Sequence, residues 1–177
     1  MKKILISCLC LCMLAACKKE VEELPPATQT GANTFGARVD GKVWVTQGFG
    51  PFPANDILEA SMSGHDITIN ARNFSSSPTE TEFQLTIFNV TAPGTYLFNT
   101  DISHPNGAAS YGYYVKRKLT PENEWLTSSS YTGSVTITRI DDVNMIVSGT
   151  FQFNALNIYH SPQPITVTDG RFDVRIQ

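Results

Sequence analysis

An all-β domain of roughly ten short antiparallel strands, built as a sandwich or a flattened barrel and ending in a three-strand meander, is predicted for this 177-residue chain. Three observations predict it. From Asn33 to the C-terminus apolar residues recur with period two, as in strands with one buried face, and no stretch carries a convincing amphipathic-helix period. Clusters of Gly, Pro, Asn and Asp interrupt these runs at short intervals. With 10% aromatic and only 16% charged residues, the chain has the material for a core and is not disordered over its length.

Each element follows in order. Phe35, Ala37 and Val39 alternate with Gly36 and Arg38; Asp40-Gly41 offers the positive-φ pair of a type I′ turn, and Val43, Trp44 and Val45 run back. After a loop at Gly48 to Pro53, Leu58, Ala60, Met62 and then Ile67, Ile69, Ala71 form two runs around Ser63-Gly64-His65. Asp56 to Met62 is short and bracketed by strands, so it reads as strand rather than helix. Phe83, Leu85 and Ile87 take one face of the next strand, with Gln84, Thr86 and Phe88 on the other, and Pro93-Gly94 turns into Thr95-Tyr96-Leu97-Phe98. Pro105-Asn106-Gly107 precedes a strand from Tyr111 to Lys116, and Pro121-Glu122-Asn123 reads as a loop leading to Trp125 and Tyr131. Within that strand Tyr111, Tyr113 and Val115 share a face expected to pack the core, which leaves Tyr114 outward. In the last third, Val135 and Ile137, then Met145, Val147, Phe151 and Phe153, then Phe172, Val174 and Ile176 after Asp169-Gly170, form the meander. Strand order is not written in a periodicity, so sandwich and barrel both stay open.

The N-terminus speaks of compartment. Lys2 and Lys3 precede an apolar run, Ile4 to Met13, too short for a bilayer core of about 30 Å, which needs about 20 helical residues. This is a secretion signal. Its end, Leu14-Ala15-Ala16-Cys17, resembles the lipobox of bacterial lipoproteins, which implies cleavage before Cys17 and a diacylglycerol thioether on that cysteine. The expected organisation is a leader at 1–16, a lipidated N-terminus and flexible tether at 17–32, and one domain at 33–177. Cys8, Cys10 and Cys12 leave with the leader, so the even cysteine count is no disulfide framework. Acyl chains contribute about 0.8 kcal/mol per buried methylene, which makes the bilayer a permanent partner through acylated Cys17. Lys18-Lys19 followed by Glu20, Glu22 and Glu23 resembles the surface-export signal of Bacteroidota lipoproteins, and position 18 lacks the aspartate that retains lipoproteins in the inner membrane of enteric bacteria. The expected location is the outer membrane, with the cell surface as the favoured face and the periplasm as the alternative.

The domain itself also carries a resemblance. Phe35 to Trp44 as F-x-A-x-V-D-G-K-x-W, Gly94-Thr95-Tyr96, Gly133 to Ile137, Val147 to Phe153, and Ile165 to Phe172 resemble an uncharacterised group of small lipoproteins from the Bacteroidota. The likeness covers nearly the whole mature domain. Its motifs are turn glycines and strand faces, so it implies fold and compartment and transfers no catalytic or binding residue.

Charge and motifs narrow the function. A net charge of −3, falling to −5 once Lys2 and Lys3 are removed, excludes the basic footprint of a nucleic-acid binder. His65, His104 and His160 lie far apart at expected turns, with no partner at metal-ligand spacing. Asp141, Asp142 and Asn144 carry oxygen ligands of the kind Ca²⁺ takes, but a polar hairpin turn accounts for them. No nucleophile elbow, phosphate-cradling loop or dinucleotide fingerprint is present, so no cofactor and no metal is expected. Glu59, Glu80, Glu82, Glu122 and Glu124 are the acids from which a glycan-directed hydrolase would draw a pair of carboxylates about 5 to 9 Å apart, a gap that spacing in sequence does not establish. The aromatic residues offer another lead: Trp125, Tyr114 and Trp44 are candidates for stacking a sugar ring or anchoring a protein, since aromatic faces combine large contact area with a polar tip. The favoured expectation is therefore a non-enzymatic, membrane-anchored β-domain that binds or scaffolds a glycan or protein of the cell envelope. A lipocalin-like small-ligand carrier and a glycan-directed hydrolase are the alternatives.

Overall fold

The computed structural model describes residues 21–48, 57–76, 79–105, 108–159 and 163–177. The expected leader, Cys17, the turn at Asn106-Gly107 and His160 lie outside these residues. Among the described residues eleven strands are formed: β1 (Thr34–Val39), β2 (Lys42–Val45), β3 (Leu58–Ser63), β4 (Asp66–Asn73), β5 (Glu80–Ile87), β6 (Gly94–Phe98), β7 (Tyr111–Arg117), β8 (Pro121–Leu126), β9 (Gly133–Asp141), β10 (Ile146–Asn157) and β11 (Pro164–Arg175). They form one curled antiparallel sheet, a half-barrel, in the order β2-β1-β11-β10-β8-β7-β5-β4-β3, with β9 and then β6 branching from β10. Of the two architectures left open by the sequence, this is nearer the flattened barrel.

The branch arises because β10 is long enough to serve two neighbours along one edge. Its first part, Ile146 to Phe153, pairs with β9, and its last residues, Leu156 and Asn157, pair with Leu126 and Trp125 of β8. β11 occupies the opposite edge throughout. The opening hairpin forms as expected, with Asp40 at φ 48° and Gly41 at φ 79° between β1 and β2. The β9-β10-β11 meander also forms. Its first turn is tied by Asp141, whose carboxylate accepts the Asn144 backbone N–H at 2.9 Å and the Asn144 amide at 2.8 Å. Those two bonds and the Arg139 guanidinium hold its pKa down at about 2.

Three local expectations are corrected. Pro121 to Leu126 is strand, not loop: Pro121 has no N–H to donate but stands first in β8, where none is needed, and the polar residues after it gave no apolar alternation to read. Asp169-Gly170 does not precede the last strand but lies inside β11, where Asp169 at φ 53° makes a β-bulge against both neighbours; Phe151 pairs with Gly170, but Phe153 pairs with Val167. Tyr114 faces inward, buried in the main core, and Tyr111 and Tyr113 face the other side of the sheet. The reason is Gly112. A Cβ there would come within 2.8 Å of the Phe153 ring, so the Gly112-Tyr114 face of β7 is the one pressed on the core. Tyr111, Tyr113 and Val115 are buried nonetheless, in a small second cluster with Leu126 and Ile102.

Phe83, fully buried, is the hub of the main core. Its ring centroid lies 4.7 Å from Trp44, 4.7 Å from Tyr114, 5.6 Å from Phe35 and 6.1 Å from Phe151. The inside of the half-barrel is thus filled with aromatic side chains. From Leu24 onward, the segment expected as a free tether is laid against this domain. Buried Asp173 of β11 accepts hydrogen bonds from Thr28 Oγ1 (2.6 Å) and from the backbone N–H groups of Thr30 (2.8 Å), Gly31 (2.8 Å) and Ala32 (3.1 Å). Ser148 Oγ donates to the same carboxylate at 2.7 Å. Arg139 grips the Gln29 carbonyl, and Gly36 is bare enough for Pro25 to pack directly on β1.

Candidate functional site

At one end of the half-barrel the strands leave an open cleft of about 780 Å³. The β1-β2 hairpin brings Trp44, the pairing of β7 with β8 brings Tyr114 and Trp125, and Ile165 enters from the start of β11. The three aromatic candidates, 81 positions apart from first to last, therefore meet in one place. Tyr114 and Trp125 are a direct cross-strand pair, with ring centroids 5.6 Å apart. Trp44 is almost wholly buried and sets its edge against Phe83, so it forms floor rather than rim. Trp125 is only half-buried and offers the accessible ring.

The rings are held before any ligand arrives. Trp44 Nε1–H donates to Thr81 Oγ1 at 2.8 Å, and Trp125 Nε1–H donates to the Gln163 carbonyl at 3.0 Å. Burial pushes the Tyr114 phenol up to about 12; its hydrogen bond with the Thr81 hydroxyl pulls the other way, and the negative charge of Asp40 adds a smaller push upward. It stays protonated at any physiological pH. Indole and phenol rotors fixed in this way lose little freedom on binding, which is the general advantage of a preorganised site. Lys42 and Lys116 stand at the mouth, both exposed. Asp40 is the cleft's acid, and its Oδ1 accepts the Thr166 backbone N–H at 2.9 Å.

The glutamates are brought together elsewhere. Glu59, Glu80 and Glu82 lie on the outer face of the sheet, matched by arginines: Arg72 reaches Glu59 at 3.1 Å and Glu82 at 3.6 Å, and Arg117 reaches Glu82 at 2.8 Å and Glu80 at 3.6 Å. Glu124 stands on the same face beside Tyr113. The side chain of Glu122 is outside those described. His104 lies in a turn, as expected, but its ring joins this face half-buried instead of standing in solvent. Its ring stacks on Tyr113 at 3.8 Å and 4°, and its Nε2 meets Gln84 Oε1 at 2.7 Å. Burial pushes its pKa down, against the pull of Glu124 and with the help of Arg117, so the imidazole is neutral at physiological pH. His65 sits exposed in the β3-β4 turn. Among the described residues no three His, Cys, Asp or Glu side chains gather as metal ligands.

One family fits the chain. The family described as "Domain of unknown function (DUF6252)" matches residues 32–173, most of the sequence. The chain belongs to that family. The DUF6252 domain thus begins at the end of the docked N-terminal segment, and Asp173, which receives that segment, is its last matched residue. No curated protein and no solved structure matches the chain. Of the features of this DUF6252 cleft, the aromatic candidates were readable in the sequence, but Lys42, Lys116 and Thr81 were not singled out. A signal for the lysines existed: Lys42-x-Trp44 and Tyr114-x-Lys116 each place a lysine two residues from an aromatic, on the same strand face.

Proposed function

We propose that this protein is a lipoprotein of the bacterial outer membrane, anchored through acylated Cys17 and related to the Bacteroidota lipoproteins it resembles, whose β-domain binds a glycan without transforming it. The observation that carries the binding reading is the convergence of Trp44, Tyr114 and Trp125 on one open cleft. Sugar rings present flat C–H faces and hydroxyl edges, which suit aromatic rings bordered by polar groups. The alternatives draw less support. A lipocalin-like carrier needs an apolar interior space, and here the interior holds Phe35, Phe83 and Phe151. A hydrolase needs free carboxylates across a cleft, and Glu59, Glu80 and Glu82 are ion-paired on the outer face. The anchor rests on the lipobox and the charged leader read in the sequence.

Two measurements test the two halves. A glycan array probed with the full chain should yield a ligand whose affinity falls at least tenfold, about 1.4 kcal/mol, in Trp125→Ala. Tyr114→Phe, which keeps the buried ring, should still fold. An array without a ligand, or a ligand indifferent to Trp125, ends the cleft reading. Cells carrying Cys17→Ala should release the protein from the membrane fraction; full retention there ends the anchoring reading.

A further inference from the structure

The charge around the cleft runs against the charge of the molecule. The chain is acidic overall, at −3, and its arginines are engaged: Arg38, Arg72, Arg117 and Arg139 with carboxylates, Arg171 and Arg175 with backbone carbonyls. Lys42 and Lys116 carry no ion pair among the described residues, and both line the one cleft that holds the aromatic candidates. Their placement follows from the pleat. Side chains two positions apart on a strand share a face and stand about 7 Å apart, so Lys42 lies one step beyond Trp44 and Lys116 one step beyond Tyr114. β2 ends the sheet order and β7 stands five places further along it, and the curl of the half-barrel brings their lysines to the same mouth. Asp40, which accepts the backbone N–H of Thr166 in its turn conformation, keeps its negative charge, so the lining carries two ammonium groups against one carboxylate.

Resting on the glycan reading above, we infer that the ligand is an acidic saccharide, whose ring packs on Trp125 over Tyr114 and whose carboxylate or sulfate is held between Lys42 and Lys116. Lysine suits this place as a mobile point charge able to meet an anion on a ring of variable position. An exposed ammonium gains from such a partner mainly at low salt, so affinity should fall as ionic strength rises.

The test uses the full chain in detergent micelles and a panel of oligogalacturonate, oligoglucuronate and oligomannuronate, each beside its neutral methyl ester, with a sulfated oligosaccharide as a further arm. At least one acidic member should bind. Its ester should bind at least tenfold more weakly, and Lys42→Gln/Lys116→Gln should erase the difference without lowering the melting temperature. Uronate binding places a carboxylate between the lysines; binding of the sulfated member alone places a sulfate there. Equal binding of acids and esters, unaffected by the lysine changes but lost in Trp125→Ala, would overturn the acidic ligand and leave the glycan reading standing. Binding of no member overturns the acidic ligand, and the glycan array then decides whether the glycan reading stands.

Discussion

At the scale of single residues, Asp173 is the side chain whose surroundings say most about its energetics. Burial works to raise its pKa, but the Thr28 hydroxyl, the Ala32 N–H, the Ser148 hydroxyl and the Thr30 N–H outweigh burial and hold it well below the usual carboxylate range. A carboxylate depressed in this way stabilises the fold at every pH above its unfolded value of about 3.9, and the contribution drains away as pH falls from there toward the folded value. Asp173→Asn places an amide donor among donors and should cost about 2 to 4 kcal/mol at neutral pH. Its melting temperature should then fall less than the parent's between about pH 4 and pH 2. Parallel pH profiles for the two proteins would show that the carboxylate's charge plays no such part.

At the scale of elements, two glycines separate two kinds of constraint. Gly41 sits at φ 79° in the opening hairpin with open space around the position of a Cβ. Gly170 has a negative φ, but a Cβ there would lie 2.5 Å from the Phe151 carbonyl in the middle of the sheet. Gly41→Ala should therefore cost about 1 to 2 kcal/mol through backbone conformation alone. Gly170→Ala forces β10 and β11 apart and should cost more, up to about 3 kcal/mol. Denaturant titration of both variants checks the order; a larger loss at Gly41 would mean that the β11 bulge yields easily. The two Asp-Gly pairs also show where sequence reading succeeds and where it fails. Asp40-Gly41 and Asp169-Gly170 are the same dipeptide, and only strand pairing on both sides tells a hairpin turn from a bulge in a central strand.

At the scale of the molecule, the N-terminal segment belongs to the folded unit. Leu24 and Pro25 approach β1, and Thr28 to Ala32 wrap onto Asp173, so a chain cut to begin at Asn33 loses contacts that one beginning at Val21 keeps. The shorter chain should melt several degrees lower, at about 2 to 4 °C per kcal/mol for a protein of this size. Equal melting temperatures would make the segment an ornament. With anchoring at Cys17 as proposed, only residues 18–23 separate the lipid from the docked segment, a reach of about 20 Å when extended. The domain would then ride close to the bilayer.

Local alternation and turn chemistry determined most of the fold from sequence alone. Phe83, Leu85 and Ile87, the opening hairpin and the final meander each follow from side chains two residues apart pointing the same way. Trp44, Tyr114 and Trp125 were likewise legible as candidates, because large amphipathic rings in a small acidic domain are few. What only the tertiary structure decided is what depends on partners far away in the chain. Tyr114 turned inward because Gly112 leaves room for Phe153; Asp173 became a receptor for residues more than 140 positions earlier; and the glutamates met arginines instead of a cleft. Periodicity reports that a strand has two faces, but which face is covered is set by the neighbours that the curl of the sheet brings, and no local pattern records that curl.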